Sequence, residues 1–179
     1  MTDFPFAFDR EATLAALLYV AGRVGGLTMH RLAKILYFAD KAHLERYGRF
    51  ITGDQYVAME NGPVPSMTYS MVKELGDVAP DALFPHPLAD TLRVERREGK
   101  HYVRGLAQPD LDALSDSDLA CLDESIARYS AYGFRELSDL SHDAAWNATE
   151  RNKLMRIEAI VSTFAQPEAV LEHLRNPNP

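Results

Sequence analysis

The chain has 179 residues, of which 46% are hydrophobic and 25% are charged, a composition typical of a globular protein with its own core. Its 19 basic and 26 acidic residues give a formal charge of −7, which disfavours nucleic acid as a partner because a phosphate backbone repels an acidic surface. A single cysteine excludes an intramolecular disulfide, and we find neither a signal-peptide pattern nor an apolar run of the roughly 18 residues that span a membrane. We therefore expect one cytoplasmic domain over 1–179.

Two helices are predicted in the first fifty residues. Asp9 is placed to cap a helix over 10–24, which ends at the Gly25-Gly26 pair. Thr28 is placed to cap a second helix, which Gly48 ends. Such a pair could form a helix-turn-helix unit, but the second helix carries aromatic and acidic side chains where base recognition favours Arg, Asn and Gln. The pattern therefore does not favour DNA binding.

A short strand is predicted next, over 55–59, from the alternation of its side chains. The following Asn61-Gly62 pair predicts a turn, and Pro63 and Pro65 predict a stiff loop because each proline fixes its own φ. Ser66 is placed to cap a third helix.

A hairpin is predicted after a proline-rich surface loop over 76–90. Its strands, 91–97 and 100–104, flank the turn residues Glu98 and Gly99. Isolated hairpins are marginally stable in water, so we expect this one to pair with the strand at 55–59. The predicted fold class is mainly α (α+β): a helical domain with one small antiparallel β-sheet formed by a short strand and a hairpin.

The helical pattern returns in the C-terminal third. Ser115 and Asp118 form an acidic variant of the capping box at the start of one helix. Cys121 lies on the flank of that helix without a neighbouring basic residue, which indicates a buried, inert thiol. Further helices are predicted over 134–140 and from Pro167.

One group of residues could carry chemistry. Asp40 and His43 are three apart on the second helix and therefore share a face, and His142 is a distant third candidate. Such a set could ligate a metal or form an acid–base pair. The alternative is structural, with Asp40 and His43 bonding to neighbouring groups and fixing the helix against the loop at 61–63. Known catalytic fingerprints are missing from the sequence, and we predict neither a metal nor a cofactor.

The stretch from Leu32 to Ser66 also carries a family resemblance. The matching positions in it are Lys34, Leu36, Tyr37, Ala39, Asp40, His43, Gly48 and the Gly62-Pro63-Val64 segment. A looser match follows at Leu137, Ser141, His142 and Trp146. Together these positions resemble the Panacea family of bacterial and phage-associated proteins, which includes SocA-type antitoxins. The resemblance is strongest over 29–75 and extends over the whole chain as one domain.

This resemblance implies a mostly helical antitoxin that neutralises a cognate toxin by direct binding. In the SocA-like branch, the antitoxin is also an adaptor that delivers the toxin to the ClpXP protease. The candidate partner-binding or family-motif residues are Lys34, Tyr37, Asp40, His43, Asn61, Gly62, Pro63, Val64, His142 and Trp146. The alternative function is a hydrolase-like enzyme, with or without a metal, that uses Asp40, His43 and His142 to reverse a toxin's modification.

Overall fold

The computed structural model describes residues 5–77 and 87–176. These residues form eight α-helices and two separate two-stranded antiparallel sheets, which confirms the predicted mainly α (α+β) class. The elements are α1 (Arg10–Ala21), α2 (Met29–Tyr47), β1 (Tyr56–Met59), β2 (Gly62–Pro65), α3 (Ser66–Asp77), β3 (Leu92–Arg97), β4 (Lys100–Gly105), α4 (Asp116–Tyr129), α5 (Phe134–Ser141), α6 (Ala144–Asn147), α7 (Ile157–Val161) and α8 (Pro167–Arg175). Most of the predicted proline-rich loop lies outside the described residues.

The central element is α2, a helix of 19 residues with the predicted ends. The Thr28 hydroxyl accepts a hydrogen bond from the Arg31 amide, and Gly48 ends the helix in the left-handed conformation at φ 75°. One side of α2 packs into a core with α1, α3, α4 and the β3–β4 hairpin. Its other side packs into a second core with β1, α6 and α7. Because both sides are covered, polar residues of α2 are buried as well as apolar ones.

The strand β1 pairs with β2, not with the hairpin. The register runs from Tyr56 opposite Pro65 to Met59 opposite Gly62. The prediction that 55–59 joins the hairpin in one sheet is therefore wrong, and the segment predicted as a stiff loop is a strand. The turn between the strands is formed by residues 60–61.

The prolines of β2 are compatible with the strand because of how β1 is bonded on its other edge. There the amide of Ala58 donates to the Lys153 carbonyl, and the amide of Met155 donates to the Tyr56 carbonyl. In an antiparallel ladder the backbone groups of alternate residues point to opposite edges, so Tyr56 and Ala58 need nothing from β2. Pro63 and Pro65 lie opposite those two residues and can lack an amide hydrogen.

The hairpin of β3 and β4 forms as predicted but packs elsewhere. Its turn residues Glu98 and Gly99 both have positive φ, at 49° and 74°, which matches the right-handed twist of the strands. The amide of Val103 donates to the Leu27 carbonyl at 2.8 Å, so β4 is bonded to the connection between α1 and α2. The two sheets therefore lie on different parts of the protein.

The predicted helix caps form at α1, α2 and α4, and at α3 a different residue supplies the cap. Asp9 caps α1, although that helix ends at Ala21 and not at Val24, and Ser115 with Asp118 forms the capping box of α4. At α3 the Ser66 prediction misses the main acceptor, which is the carboxylate of Asp54. It accepts from the Met67 and Thr68 amides at 3.0 and 2.8 Å. None of the helices in the described ranges is both long and apolar enough to cross a bilayer.

Candidate functional site

Four polar side chains highlighted by the sequence lie on α2 at intervals of three residues and are buried. The exposed fraction is 0% for Lys34, Tyr37 and His43 and 1% for Asp40. Because the α-helix repeats every 3.6 residues, this spacing turns the four side chains gradually around the helix. Each therefore meets a different part of the protein.

Asp40 holds the chain that follows α2. Its carboxylate accepts hydrogen bonds from the Ile51 amide at 2.6 Å, from the Thr52 amide and hydroxyl at 3.3 and 2.9 Å, and from the Tyr56 hydroxyl at 2.7 Å. Burial raises the pKa of Asp40 to about 6, although these hydrogen bonds act in the opposite direction. Both carboxylate oxygens are thus engaged inside the protein.

His43 connects α2 to α4. Its Nδ1 donates to the Arg49 carbonyl at 2.9 Å, and its Nε2 lies 2.9 Å from the Ser117 hydroxyl and 3.0 Å from Asp118 Oδ1. The Arg49 guanidinium also donates to Asp118, at 2.8 and 2.9 Å. Burial alone would raise the pKa of Asp118, but the hydrogen bonds from His43, Arg49 and Ser115 hold it well below its usual value.

Lys34 holds the β1–β2 hairpin. Its ammonium donates to the Pro63 carbonyl at 2.9 Å, and burial lowers its pKa to about 7. The lysine passes close to Gly62, which has φ of +101°. A Cβ there would lie 2.9 Å from Lys34 Cε and 2.2 Å from the Ser141 hydroxyl. Lys34, Gly62 and Pro63 therefore form one packed unit.

Tyr37 is bonded to the segment before α6. Its hydroxyl donates to Asp143 Oδ2 at 2.8 Å, and Lys41 donates to the same oxygen at 2.5 Å. The other oxygen of Asp143 caps α6 by accepting from the Trp146 amide at 3.0 Å. One carboxylate thus connects α2 to the start of α6.

His142 and Trp146 complete this connection. Their rings stack with centroids 3.7 Å apart, and Trp146 Nε1 donates to the Met59 carbonyl at 2.9 Å. Burial lowers the pKa of His142, and nearby Lys34 acts in the same direction. The distal His-Trp positions are thus packed against the hairpin and lie near Lys34.

The positions described above fall inside a single family match. Comparison with protein-family models matches residues 32–147 to the antitoxin SocA-like Panacea domain, which is more than half of the chain. The chain belongs to the SocA-like Panacea family. Comparison with curated proteins and with solved structures gives no match. The match to the Panacea domain begins within α2 and ends with α6.

The Panacea domain does not bring Asp40, His43 and His142 together. The bonding partners of Asp40 lie at 51–56, those of His43 lie on the chain after α2 and on α4, and the ring of His142 stacks on Trp146. Among residues 5–77 and 87–176, no group of three or more His, Cys, Asp or Glu side chains could hold a metal ion. The geometry of this part of the chain gives no support to a site that uses the three residues jointly.

The structural role expected for Asp40 and His43 needs a correction. Both bond to neighbouring groups, as expected, but these groups belong to the chain after α2 and to α4. The loop at 61–63 is held by Lys34 instead. The reason is helical phase, because Lys34 lies about two and a half turns before His43 and therefore faces the hairpin on the opposite side of α2.

Two aspartates outside the predicted set of site residues are central to this network. Asp143 precedes α6 by one residue, so the N-cap rule could have identified it. Asp54 caps α3 from 13 and 14 residues away, and no local pattern signals such a contact. Both aspartates connect elements that are distant in sequence.

A cleft of about 620 Å³ opens beside the Lys34 unit in the Panacea domain. Its walls are the start of α2, the β1–β2 turn, the β3–β4 turn and the start of α5. The candidate partner-binding residues that line the cleft, besides Lys34, are Asn61, Gly62 and Val64. His30, on the same wall, stacks on Phe134 with centroids 4.1 Å apart, and burial lowers its pKa to about 4. The sequence did not predict this cleft, because its walls come from four separate segments.

Proposed function

We propose that this Panacea domain is an antitoxin that neutralises a cognate toxin by direct binding. The observation that carries the proposal is the family match over 32–147. The internal bonding of Lys34, Tyr37, Asp40 and His43 supports it, because these side chains build a scaffold and leave recognition to the surface.

The surface open to a partner includes little of α2 itself. Its middle is mostly buried, with Phe38, Lys41 and Ala42 partly exposed, and its fully exposed residues lie in the last turn. The predicted segment 61–64 contributes the exposed Asn61 and the half-buried Val64. Beside it, Tyr132 and Phe134 expose 38% and 47% of their surface. An exposed aromatic pair at the edge of a cleft is typical of a protein-binding surface.

Coexpression with the neighbouring gene tests the proposal. We expect the neighbour alone to stop growth and this protein to restore it, and we expect the two purified proteins to elute as one complex from a size-exclusion column. A harmless neighbour, or a toxin that stays active and unbound in the presence of this protein, would show that the proposal is wrong.

We further propose that the bound toxin is delivered to the ClpXP protease in the cytoplasm. This proposal rests on the SocA-like character of the matched family. The half-life of the toxin in the presence of this protein should lengthen severalfold when ClpX is depleted. An unchanged half-life, with neutralisation intact, would favour simple blocking of the toxin.

A further inference from the structure

The cleft beside Lys34 is basic, although the whole chain has a formal charge of −7. Among the described residues that line it, Glu60 is the only carboxylate. The cationic and imidazole side chains in its walls are His30, Arg31, Lys34, Lys100 and His101. This local excess of hydrogen-bond donors favours an anionic occupant.

Lys34 is a buried amine without a counter-ion. Its residue is 0% exposed, and its hydrogen bond to the Pro63 carbonyl uses one of the three donors of an ammonium group. The ion pairs among the described residues do not include it. Because an uncompensated buried charge is costly, an anion in the cleft would stabilise the protonated form of this lysine.

Two further nitrogen atoms in the cleft walls lack acceptors. Arg31 Nε and His101 Nε2 are buried and have no hydrogen-bond partner among the described residues. The first turn of α2 also lines the cleft and contains no acidic residue, so the positive end of the helix dipole adds to the same field. The buried lysine, the two unpartnered nitrogen atoms and the helix dipole thus all favour an anion in this cleft.

The rim of the cleft is apolar. Phe134 is 47% exposed and stacks on His30, and Arg31 donates to the Tyr132 carbonyl at 3.3 Å. His30 and Arg31, both on α2, therefore connect the basic wall of the cleft to its aromatic rim. A peptide with a carboxylate and a neighbouring apolar side chain would meet both surfaces.

We propose that this cleft receives an acidic segment of the toxin, with a carboxylate beside Arg31 and Lys100 and an apolar side chain on Phe134. The volume of about 620 Å³ suits a few side chains of one extended segment. The inference rests on the proposed antitoxin function and names the part of the toxin that is bound.

A matched pair of double variants tests the cleft. Arg31→Gln with Lys100→Gln removes two charges from it, and Arg93→Gln with Arg96→Gln removes two charges from exposed positions outside it. We expect the first variant to lose at least about tenfold in affinity for the purified toxin and the second to stay within about twofold. Circular dichroism checks that both variants are folded. Equal affinities of the two variants would overturn the inference.

The aromatic rim gives a second measurement that does not depend on charge. Phe134→Ala changes a half-exposed side chain and leaves the buried network intact, so this variant should fold. Its affinity for the toxin should fall severalfold, and Leu154→Ala, at a position 51% exposed and outside the cleft, should bind normally. Unchanged binding by the Phe134→Ala variant would contradict the proposed position of the apolar side chain.

Synthetic peptides that tile the toxin sequence identify the occupant. Peptides with Asp or Glu next to an apolar residue should bind the wild type, and replacing those acids by Asn or Gln should abolish binding. If only neutral or basic peptides bind, or if an RNA oligonucleotide takes the cleft instead, the assigned occupant is wrong. A wild-type protein that does not bind the whole toxin would refute the proposed function as well, whereas toxin binding unaffected by cleft substitutions would refute this inference alone.

Discussion

At the scale of single residues, Asp40 determines how the chain leaves α2. Its carboxylate is the common acceptor for donors on Ile51, Thr52 and Tyr56, and all of them are buried. A buried donor that loses its acceptor costs about 1–3 kcal/mol, so the four hydrogen bonds make this side chain important for stability.

We predict that Asp40→Ala lowers the free energy of unfolding by at least about 3 kcal/mol, measured by urea denaturation. The control is Tyr56→Phe, which removes only one of the donors and should cost about 1 kcal/mol. A folded, stable Asp40→Ala protein that binds the toxin but no longer neutralises it would instead support the enzyme hypothesis.

Lys34 should make stability depend on pH in the alkaline range. Burial lowers the pKa of its ammonium from 10.5 to about 7 in the folded protein. Between these two values the unfolded chain binds the extra proton and the folded protein does not, so stability rises with pH. Below that range both states are protonated, and the charge of the buried lysine destabilises the fold to a constant extent.

We therefore predict that the stability of the wild type, measured relative to Lys34→Met, increases from pH 7 to pH 10. The slope should approach about 1.4 kcal/mol per pH unit in the middle of the range. Urea denaturation of both proteins across the range gives the difference, in which the other titrating groups cancel. A difference that does not change with pH would contradict the prediction.

At the scale of elements, the β1–β2 hairpin docks on α2 through a contact that only glycine permits. Gly62 has φ of +101°, and its Cα faces Lys34 and Ser141 at close range. By contrast, Gly99 in the β3–β4 turn has φ of +74° and open space where a Cβ would be. Comparison of the two glycines therefore distinguishes the cost of a side chain at positive φ from the cost of a steric clash.

We predict that Gly62→Ala destabilises the protein by about 2 kcal/mol more than Gly99→Ala. Both variants place a side chain at positive φ, but only the first also pushes against Lys34 and Ser141. Thermal unfolding followed by circular dichroism measures the two losses. Equal losses would mean that the hairpin can move away from α2 without cost.

At the scale of the whole molecule, α2 belongs to both hydrophobic cores. Leu17 of α1 is a fully buried member of the first core, and Ile160 of α7 is a buried member of the second. Since one helix is common to both cores, loss of either one exposes part of α2. We therefore propose that 1–179 folds as a single domain.

Leu17→Ala and Ile160→Ala test this proposal from opposite sides. Each should lower stability by about 2–5 kcal/mol, and each should shift one common unfolding transition. Trp146, the only tryptophan of the chain, reports the neighbourhood of the second core by fluorescence, and far-UV circular dichroism reports all the helices. Transitions that separate between the two signals would divide the chain into two units.

The sequence by itself determined the features that depend on neighbours within about four residues. Caps at Asp9, Thr28 and Ser115, the stop at Gly48 and the start at Pro167 follow from hydrogen bonds and backbone angles that act locally. The family resemblance over 29–75 was likewise recognisable from consecutive residues, and the match over 32–147 confirms it.

Only the tertiary structure decided what the polar residues of α2 bind. Tyr37 bonds to a residue 106 positions away, Lys34 to one 29 positions away, and Asp54 caps a helix that it precedes by a whole hairpin. Strand β1 has β2 on one edge and residues 152–155 on the other, so no edge of β1 is left for the β3–β4 hairpin. Such contacts satisfy groups that folding has removed from water, and their identity depends on which segments the cores bring together. The basic cleft has the same origin, since four distant segments form its walls around Lys34.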